Sequence, residues 1–458
     1  MTTAIALQEN ALGNPEERRR YVLTVVGCGR MGLPTACLLS EAGFYVFCLD
    51  VNPYVVNQIN KGMSPFVEPE LSELLKRNLK QGRIKATTNA KEALPSSDIV
   101  VVIVDTPIDE KKRADYSNLE GSCKTIGLNM KRGTLLIVQS TVSPSVTETL
   151  VKGTLETSSG LKAGVDFGLA FSPIRASAGR VIKDLRSYVR IVSAIDKKSL
   201  KAAKAVLKTV TAGELLEVKD VKTAEAAKLF ENVYRDVNIA LANEFAKFCE
   251  REGIDYMKAR KAANTQPYCH LLRPGIVSGH IPKDAHLLIT EAESLGVRLK
   301  MTSLARKVND DTLSRAYDLV NDAFRACEKP VKRSRIAVLG VSYRANVKET
   351  KGSLVIELAR LMRKRGAYVT VFDPYFSYRE LKDLGYPAEV TLSKTVQGTD
   401  CLVIAVGHNR FKRLSLRKLI ILMKKPAAIV DLAQIVHPSK AEKEGFVYRG
   451  LGRGVWTK

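Results

Sequence analysis

Short, nearly continuous apolar runs alternate with segments whose apolar positions recur at helical spacing, and this alternation begins at Tyr21. Tyr21–Val26, Tyr45–Leu49, Ile99–Val104, Leu135–Gln139 and Val189–Val192 are rich in β-branched residues and predict strands covered on both faces. Helical patterns fill the intervals, so this region predicts a parallel, doubly wound sheet. From about Lys222 to Arg251 the helical spacing is unbroken, giving one long helix, and more helical pattern follows to about Ala326. Beyond the basic, proline-marked joint Glu328-Lys329-Pro330-Val331-Lys332-Arg333, strands return at Arg335–Leu339, Tyr368–Phe372, Cys401–Val406 and Ala428–Asp431. The expected class is α/β: two Rossmann-like doubly wound domains joined by a helical middle domain with one long helix. The expected boundaries are a flexible tail over 1–20, then 21–213, 214–328 and 329–458.

At 458 residues the chain exceeds what one hydrophobic core holds, in keeping with that division. The formal charge of +24 favours an anionic partner. Lysine and arginine are scattered over many predicted helices, however, and aromatics make up only 6% of the chain, so the sequence argues against a nucleic-acid surface. The eight cysteines show no CxxC pair, and Cys28, Cys37, Cys48 and Cys401 fall in apolar patterns, as buried thiols in a reducing compartment would. Residues 1–20 are polar and end in Glu-Glu-Arg-Arg-Arg, unlike a signal peptide, and no apolar run has the length of a membrane span. A cytoplasmic protein is expected, with no membrane partner.

The strand at Tyr21–Val26 runs into Gly27-Cys28-Gly29-Arg30-Met31-Gly32, and a helical pattern follows. In such a turn Gly27 allows the sharp bend, Gly29 admits a pyrophosphate to the backbone, and Gly32 lets helix and strand pack closely. The anion then meets the helix N-terminus. The second strand ends at Asp50, eighteen residues after Gly32, where a carboxylate can hold ribose hydroxyls and repel a 2′-phosphate. NAD is therefore the expected cofactor; the bland alternative is a glycine turn that binds no dinucleotide. On the long helix, Lys228, Asn232 and Arg235 stand at i, i+4 and i+7, on one face. They form either a catalytic face or a solvated one.

Further segments carry a resemblance. Val104-Asp105-Thr106-Pro107-Ile108-Asp109, Ser140-Thr141-Val142, Asp166-Phe167 through Ser172-Pro173, the helix residues Lys228, Glu231-Asn232, Arg235-Asp236-Val237-Asn238 and Asn243-Glu244, then Gly340-Val341-Ser342-Tyr343-Arg344 and Asp373-Pro374 occur in collinear order. Together they resemble the UDP-glucose/GDP-mannose dehydrogenases, especially the UDP-N-acetylhexosamine branch that includes UDP-N-acetylmannosamine dehydrogenase. The resemblance implies an NAD domain, a helical dimerisation domain and a C-terminal UDP-sugar-binding domain. It implies oxidation of a sugar C6 alcohol to a carboxylate with two NAD, in a homodimer. It places Arg30, Met31, Asp50, Thr106 and Thr141 on the cofactor and Lys228, Asn232 and Asp284 at the reacting carbon. Arg175, Arg235, Gly279, His280, Tyr343, Arg344 and Lys351 fall on the substrate, and no metal is implied.

Two departures from that pattern fall on one half-reaction. The family's nucleophilic cysteine lies between His and Ile-Pro, but here His280 runs directly into Ile281-Pro282-Lys283-Asp284 in a shortened loop. Ile174 stands where the family has a glutamate that positions the hydrolytic water. Elsewhere Tyr268 replaces an Arg, Arg344 a Lys and Lys351 an Arg, and such exchanges alter the geometry of anion recognition. Cys269, near His270, His280 and His286, is the candidate replacement nucleophile, with ordinary loop side chains as the plain alternative. Three outcomes stay open: the full four-electron reaction, a two-electron oxidation or epimerisation with retained cofactor, and a silent sugar-nucleotide-binding paralogue.

Overall fold

In the computed structural model β1 (Val22–Val26), β2 (Tyr45–Leu49), β3 (Ile84–Thr87), β4 (Ile99–Val102), β5 (Leu135–Val138), β6 (Gly168–Phe171), β7 (Arg190–Ala194) and β8 (Leu215–Glu217) form one sheet. The structure describes Ile5, Leu7 and residues 12–453. The spatial order is β3-β2-β1-β4-β5-β6-β7-β8, so the strand order reverses between β1 and β4, where a doubly wound sheet opens its ligand crevice. Alternate strand residues feed two cores: Val25, Ile99, Val101 and Ile137 on one face, Val26, Val100, Val102 and Leu136 on the other.

The sheet is not wholly parallel, which corrects the sequence expectation: β7 pairs antiparallel with β6. The link between them contains only the seven-residue helix Val181–Ser187, which packs against the helix Gly32–Glu41 instead of crossing back over the sheet. The sequence reading also passed over β3, whose Lys85 faces solvent, and the three-residue β8. The tail expected over residues 1–20 falls partly outside the described residues. From Leu12 onward the segment is packed: Leu12 is buried in the first core, and Arg18 Nη1 donates to Ala42 O at 2.8 Å.

Packing divides the chain into two units, residues 1–231 with 286–297 and residues 232–285 with 298–458. The long helix, Val221–Glu252, is therefore shared by both. In the second unit β9 (Arg335–Leu339), β10 (Tyr368–Phe372), β11 (Cys401–Ile404), β12 (Ala427–Asp431) and β13 (Phe446–Gly450) form a parallel sheet of order β10-β9-β11-β12-β13, reversing between β9 and β11. The helix Lys300–Ala326 lays Ala316, Val320 and Phe324 against Ile336 and Val338 on one face of that sheet.

The same unit encloses a charged cluster. Arg306 and Asp236 are almost wholly buried and paired, Arg306 also reaches Asp310, and Asn309 Nδ2 donates to Asp236 Oδ1 at 2.8 Å. The end of the described chain is stitched to the long helix. Gly452 N donates to Glu250 Oε1, and a Cβ at Gly452 would stand 2.6 Å from that of Tyr256. No helix among the described residues is long and apolar enough to cross a membrane.

Candidate active site

The turn after β1 is built as the glycine pattern requires. Gly27 has φ +90°, and a Cβ there would lie 2.3 Å from Ile103 O. Gly32 begins the helix Gly32–Glu41 so close to the turn that a Cβ would stand 1.8 Å from Gly27 O. Around Gly29, in contrast, a Cβ would meet nothing within 4 Å, which leaves that backbone open to a ligand. Asp50 Oδ2 accepts Cys28 N at 2.7 Å and Oδ1 accepts Asn52 N at 2.9 Å, fixing a half-buried carboxylate beside the turn. Arg30 lies with its guanidinium 5.2 Å from the centre of the Phe66 ring, and Met31 forms the helix N-cap. These residues fit a dinucleotide: an open glycine backbone at a helix N-terminus for the pyrophosphate, and a carboxylate for the ribose.

Thr106 and Thr141, apart in sequence, are joined by a bond from Thr106 Oγ1 to Thr141 O at 2.6 Å. The loop after Thr141 is then tied to the long helix. Glu225 is fully buried and accepts Ser145 N at 2.6 Å and Thr147 N at 2.9 Å, while Tyr116 OH accepts Ser143 N at 2.8 Å. Sequence reasoning missed Glu225, although its place three residues before Lys228, on the same helix face, was a usable signal.

Burial pushes the Glu225 carboxyl up to about 7, against the lowering effect of the Thr147 and Ser145 bonds and with Glu148 adding to the rise. Its folded pKa lies above its unfolded one, so native stability from this group is greatest at low pH and is lost as pH rises from about 4.5 to about 7, by roughly 3 kcal/mol. Comparing wild type with Glu225→Gln in denaturant at about pH 5 and about pH 8 should show the wild type losing more stability on going to high pH. Equal losses would mean that Glu225 does not titrate in this window.

Lys228 is half-buried on the next turn of the helix. One turn further, Asn232 Nδ2 donates to Asp284 Oδ2, and Asp284, 1% exposed, also pairs with Lys283 Nζ at 3.1 Å. Asn232 and Asp284 are thus brought together, as their assignment to one site requires. Arg175 is held by Glu231 at 2.7 Å and by Val189 O at 2.8 Å. Ile174 is buried in the apolar core of the first unit.

In the second unit Gly279, with φ +75°, comes against the Tyr343 ring: a Cβ there would lie 3.0 Å from Tyr343 Cδ2. Gly279 N donates to Gly352 O at 3.3 Å, so the loop after β9 and the segment before His280 meet at Tyr343 and Gly352, next to Lys351. Gly340, which follows β9 at the reversal point, has φ +90°, and a Cβ there would lie 2.5 Å from Val406 Cβ. Arg235, His280, Arg344 and Lys351 are exposed. All eight cysteines are free and seven are buried; burial raises the thiols of Cys37, Cys123, Cys249, Cys327 and Cys401. Cys269 is half-buried, its Sγ 3.6 Å from Asn264 Oδ1. Among the described residues no His, Cys, Asp and Glu group could hold a metal ion.

Comparison with known proteins matches this arrangement along most of the chain. Sequence models of the UDP-glucose/GDP-mannose dehydrogenase family match its NAD binding domain at residues 21–211, its central domain at 222–311 and its UDP binding domain at 337–438. The UDP-N-acetyl-D-mannosamine dehydrogenase of Pyrococcus horikoshii is 34% identical over 435 residues, covering 94% of this chain and 99% of that one. The NDP-N-acetyl-D-galactosaminuronic acid dehydrogenase of Ralstonia solanacearum is 32% identical over 408 residues, 87% of this chain and 93% of that one. A solved structure of the UDP-D-ManNAc dehydrogenase from Pyrococcus horikoshii superposes with a TM-score of 0.87 at 32% identity, over 95% of this chain and 100% of that one. The chain belongs to the UDP-glucose/GDP-mannose dehydrogenase family.

Proposed function

We propose that this chain is an NAD-dependent dehydrogenase of the UDP-N-acetylhexosamine type that oxidises the C6 alcohol of its nucleotide sugar. The observation that carries the reading is one helix with two anchors and Lys228 between them: Glu225 bonded to the loop beyond Thr141, and Asn232 bonded to the buried Asp284. When bound, NAD supplies the hydride acceptor. Lys228 then offers positive charge to the sugar oxygen as it becomes a carbonyl, and Asp284, held by Asn232 and Lys283, takes the proton. Arg175, Arg235, Tyr343, Arg344 and Lys351 are the groups for the nucleotide sugar, with Gly279 and His280 bordering it.

A second reading is that the reaction stops after two electrons. It is favoured by Ile174, an apolar side chain sunk in the core where a water-positioning carboxylate is needed, and by the direct His280-Ile281 junction. Alcohol to aldehyde yields one NADH; aldehyde plus water to carboxylate yields a second. Purified protein given NAD and a panel of UDP-sugars, with NADH followed by absorbance and products by mass spectrometry, separates the two readings. Two NADH per sugar and a uronic acid establish the full reaction; one NADH and an aldehyde establish the shorter one. No NADH with any sugar overturns both.

The chain works as a homodimer in this reading. Tyr234, Leu241, Phe245 and Phe248 form an exposed apolar stripe on one face of the long helix, and Met301 and Leu304 are exposed on another helix of the same unit. Light scattering on the purified chain should give twice the monomer mass, and a monomer at micromolar concentration would remove the dimer from the proposal.

A further inference from the structure

The two sheets repeat one device and use it differently. In the first, Gly27 N donates to Leu49 O, Cys28 N to Asp50 Oδ2 and Asn52 N to Asp50 Oδ1. In the second, Gly340 N donates to Phe372 O at 2.8 Å, Val341 N to Asp373 Oδ2 at 2.9 Å and Tyr375 N to Asp373 Oδ1 at 2.9 Å. The glycine turn and the carboxylate at the end of the neighbouring strand are the same. Asp50 stays partly open, whereas Asp373 is fully buried.

What covers Asp373 is His408, which follows β11. Its Nε2 lies 3.1 Å from Asp373 Oδ2, and its Nδ1 accepts Asn346 N at 2.9 Å, which places the ring proton on Nε2. The ring is fully buried, 5.0 Å from the Tyr375 ring and 5.4 Å from the Phe411 ring. Asp373 Oδ2 also accepts Ser342 N and, at 3.0 Å, Ser342 Oγ, while Asn346 Oδ1 accepts Asn409 N at 2.9 Å. Burial works to raise the Asp373 carboxyl, but His408 and the amides of Val341 and Tyr375 outweigh it and hold the group below the ordinary carboxylate range. Fully buried and bonded to the polypeptide through both oxygens, Asp373 is closed to a ribose.

We infer that His408 and Asp373 are positioning residues for the sugar nucleotide. They fix both ends of the Val341–Asn346 segment and so set Tyr343 and Arg344 for the nucleotide, while closing this sheet to a dinucleotide. The inference deepens the functional reading above and rests on it. The signal in the sequence was slight: one histidine closing the apolar run Ile404-Ala405-Val406-Gly407.

The test uses the full-length chain with His408→Ala and Asp373→Asn, measuring UDP affinity by calorimetry, NAD affinity separately, and KM and kcat for the preferred sugar. Each variant should weaken UDP binding and raise the sugar-nucleotide KM by about tenfold or more, with NAD affinity and kcat within about twofold of wild type. His408→Gln, which keeps a donor for Asp373, should recover part of the loss and serves in place of His408→Ala if that variant does not fold. Normal UDP binding by the variants, or equal losses of UDP and NAD affinity, overturns the assignment. A wild-type chain that binds NAD but no UDP overturns the functional reading itself.

Discussion

Lys228→Ala should lower turnover about a thousandfold while leaving NAD and UDP affinities within about threefold of wild type, because charge supplied to an oxygen that becomes negative only as the reaction proceeds is lost from kcat and not from binding. The lysine sits half-buried between Glu225, anchored to the loop beyond Thr141, and Asn232, anchored to Asp284, so the helix backbone and both neighbours hold its position. Steady-state kinetics with the sugar that gives wild-type activity, together with calorimetry for both ligands, checks the result. A loss below about tenfold would remove Lys228 from the chemistry. A loss of NAD affinity equal to the loss of turnover would make it a cofactor contact instead.

The largest stability effect is expected at Arg306. Arg306→Met leaves Asp236 buried without its cation, and breaking a buried pair from one side costs about 3–5 kcal/mol. Burial already raises the Asp236 carboxyl despite Arg306, so without the arginine the carboxylate takes up a proton more readily still. A folded pKa above the unfolded value means stability falls as pH rises, and the variant should therefore recover part of its loss on acidification. Adding Asp236→Asn to Arg306→Met should restore more than either change predicts singly, since the two residues share one interaction. Denaturant unfolding of the three variants at neutral and acidic pH measures all of this. Additive losses would show that the pair does not act as a unit.

The architecture was largely legible in the sequence because buried parallel strands announce themselves as apolar runs. All nine of the predicted strands need no more than adjusted ends, among them Tyr45–Leu49, Arg335–Leu339 and Tyr368–Phe372, whose ends coincide with the observed ones. Of the strands passed over, β3 and β8 are short and partly exposed, and β13, though largely buried, carries Arg449 within it. The antiparallel β7 was not legible, since chain direction depends on how the preceding helix packs. For the site, Gly27, Gly29, Gly32 and Asp50 were readable because backbone conformation and spacing dictate them. Glu225, His408 and Asp373 act through partners thirty or more residues away in sequence, and such pairings exist only once the chain has folded.

The division of packing has a consequence for synthesis on the ribosome. The first unit is not complete at the end of its sheet: Val221 and Ala224 belong to one of its cores, and Leu287 O accepts Ser143 Oγ at 3.4 Å. Residues 286–297, which belong to that unit, emerge more than fifty residues after Glu231. A nascent chain that has exposed only the glycine turn and its sheet therefore still lacks part of its hydrophobic cover. It must wait, or borrow shielding from a chaperone, until the helix beginning at His280 has left the exit tunnel.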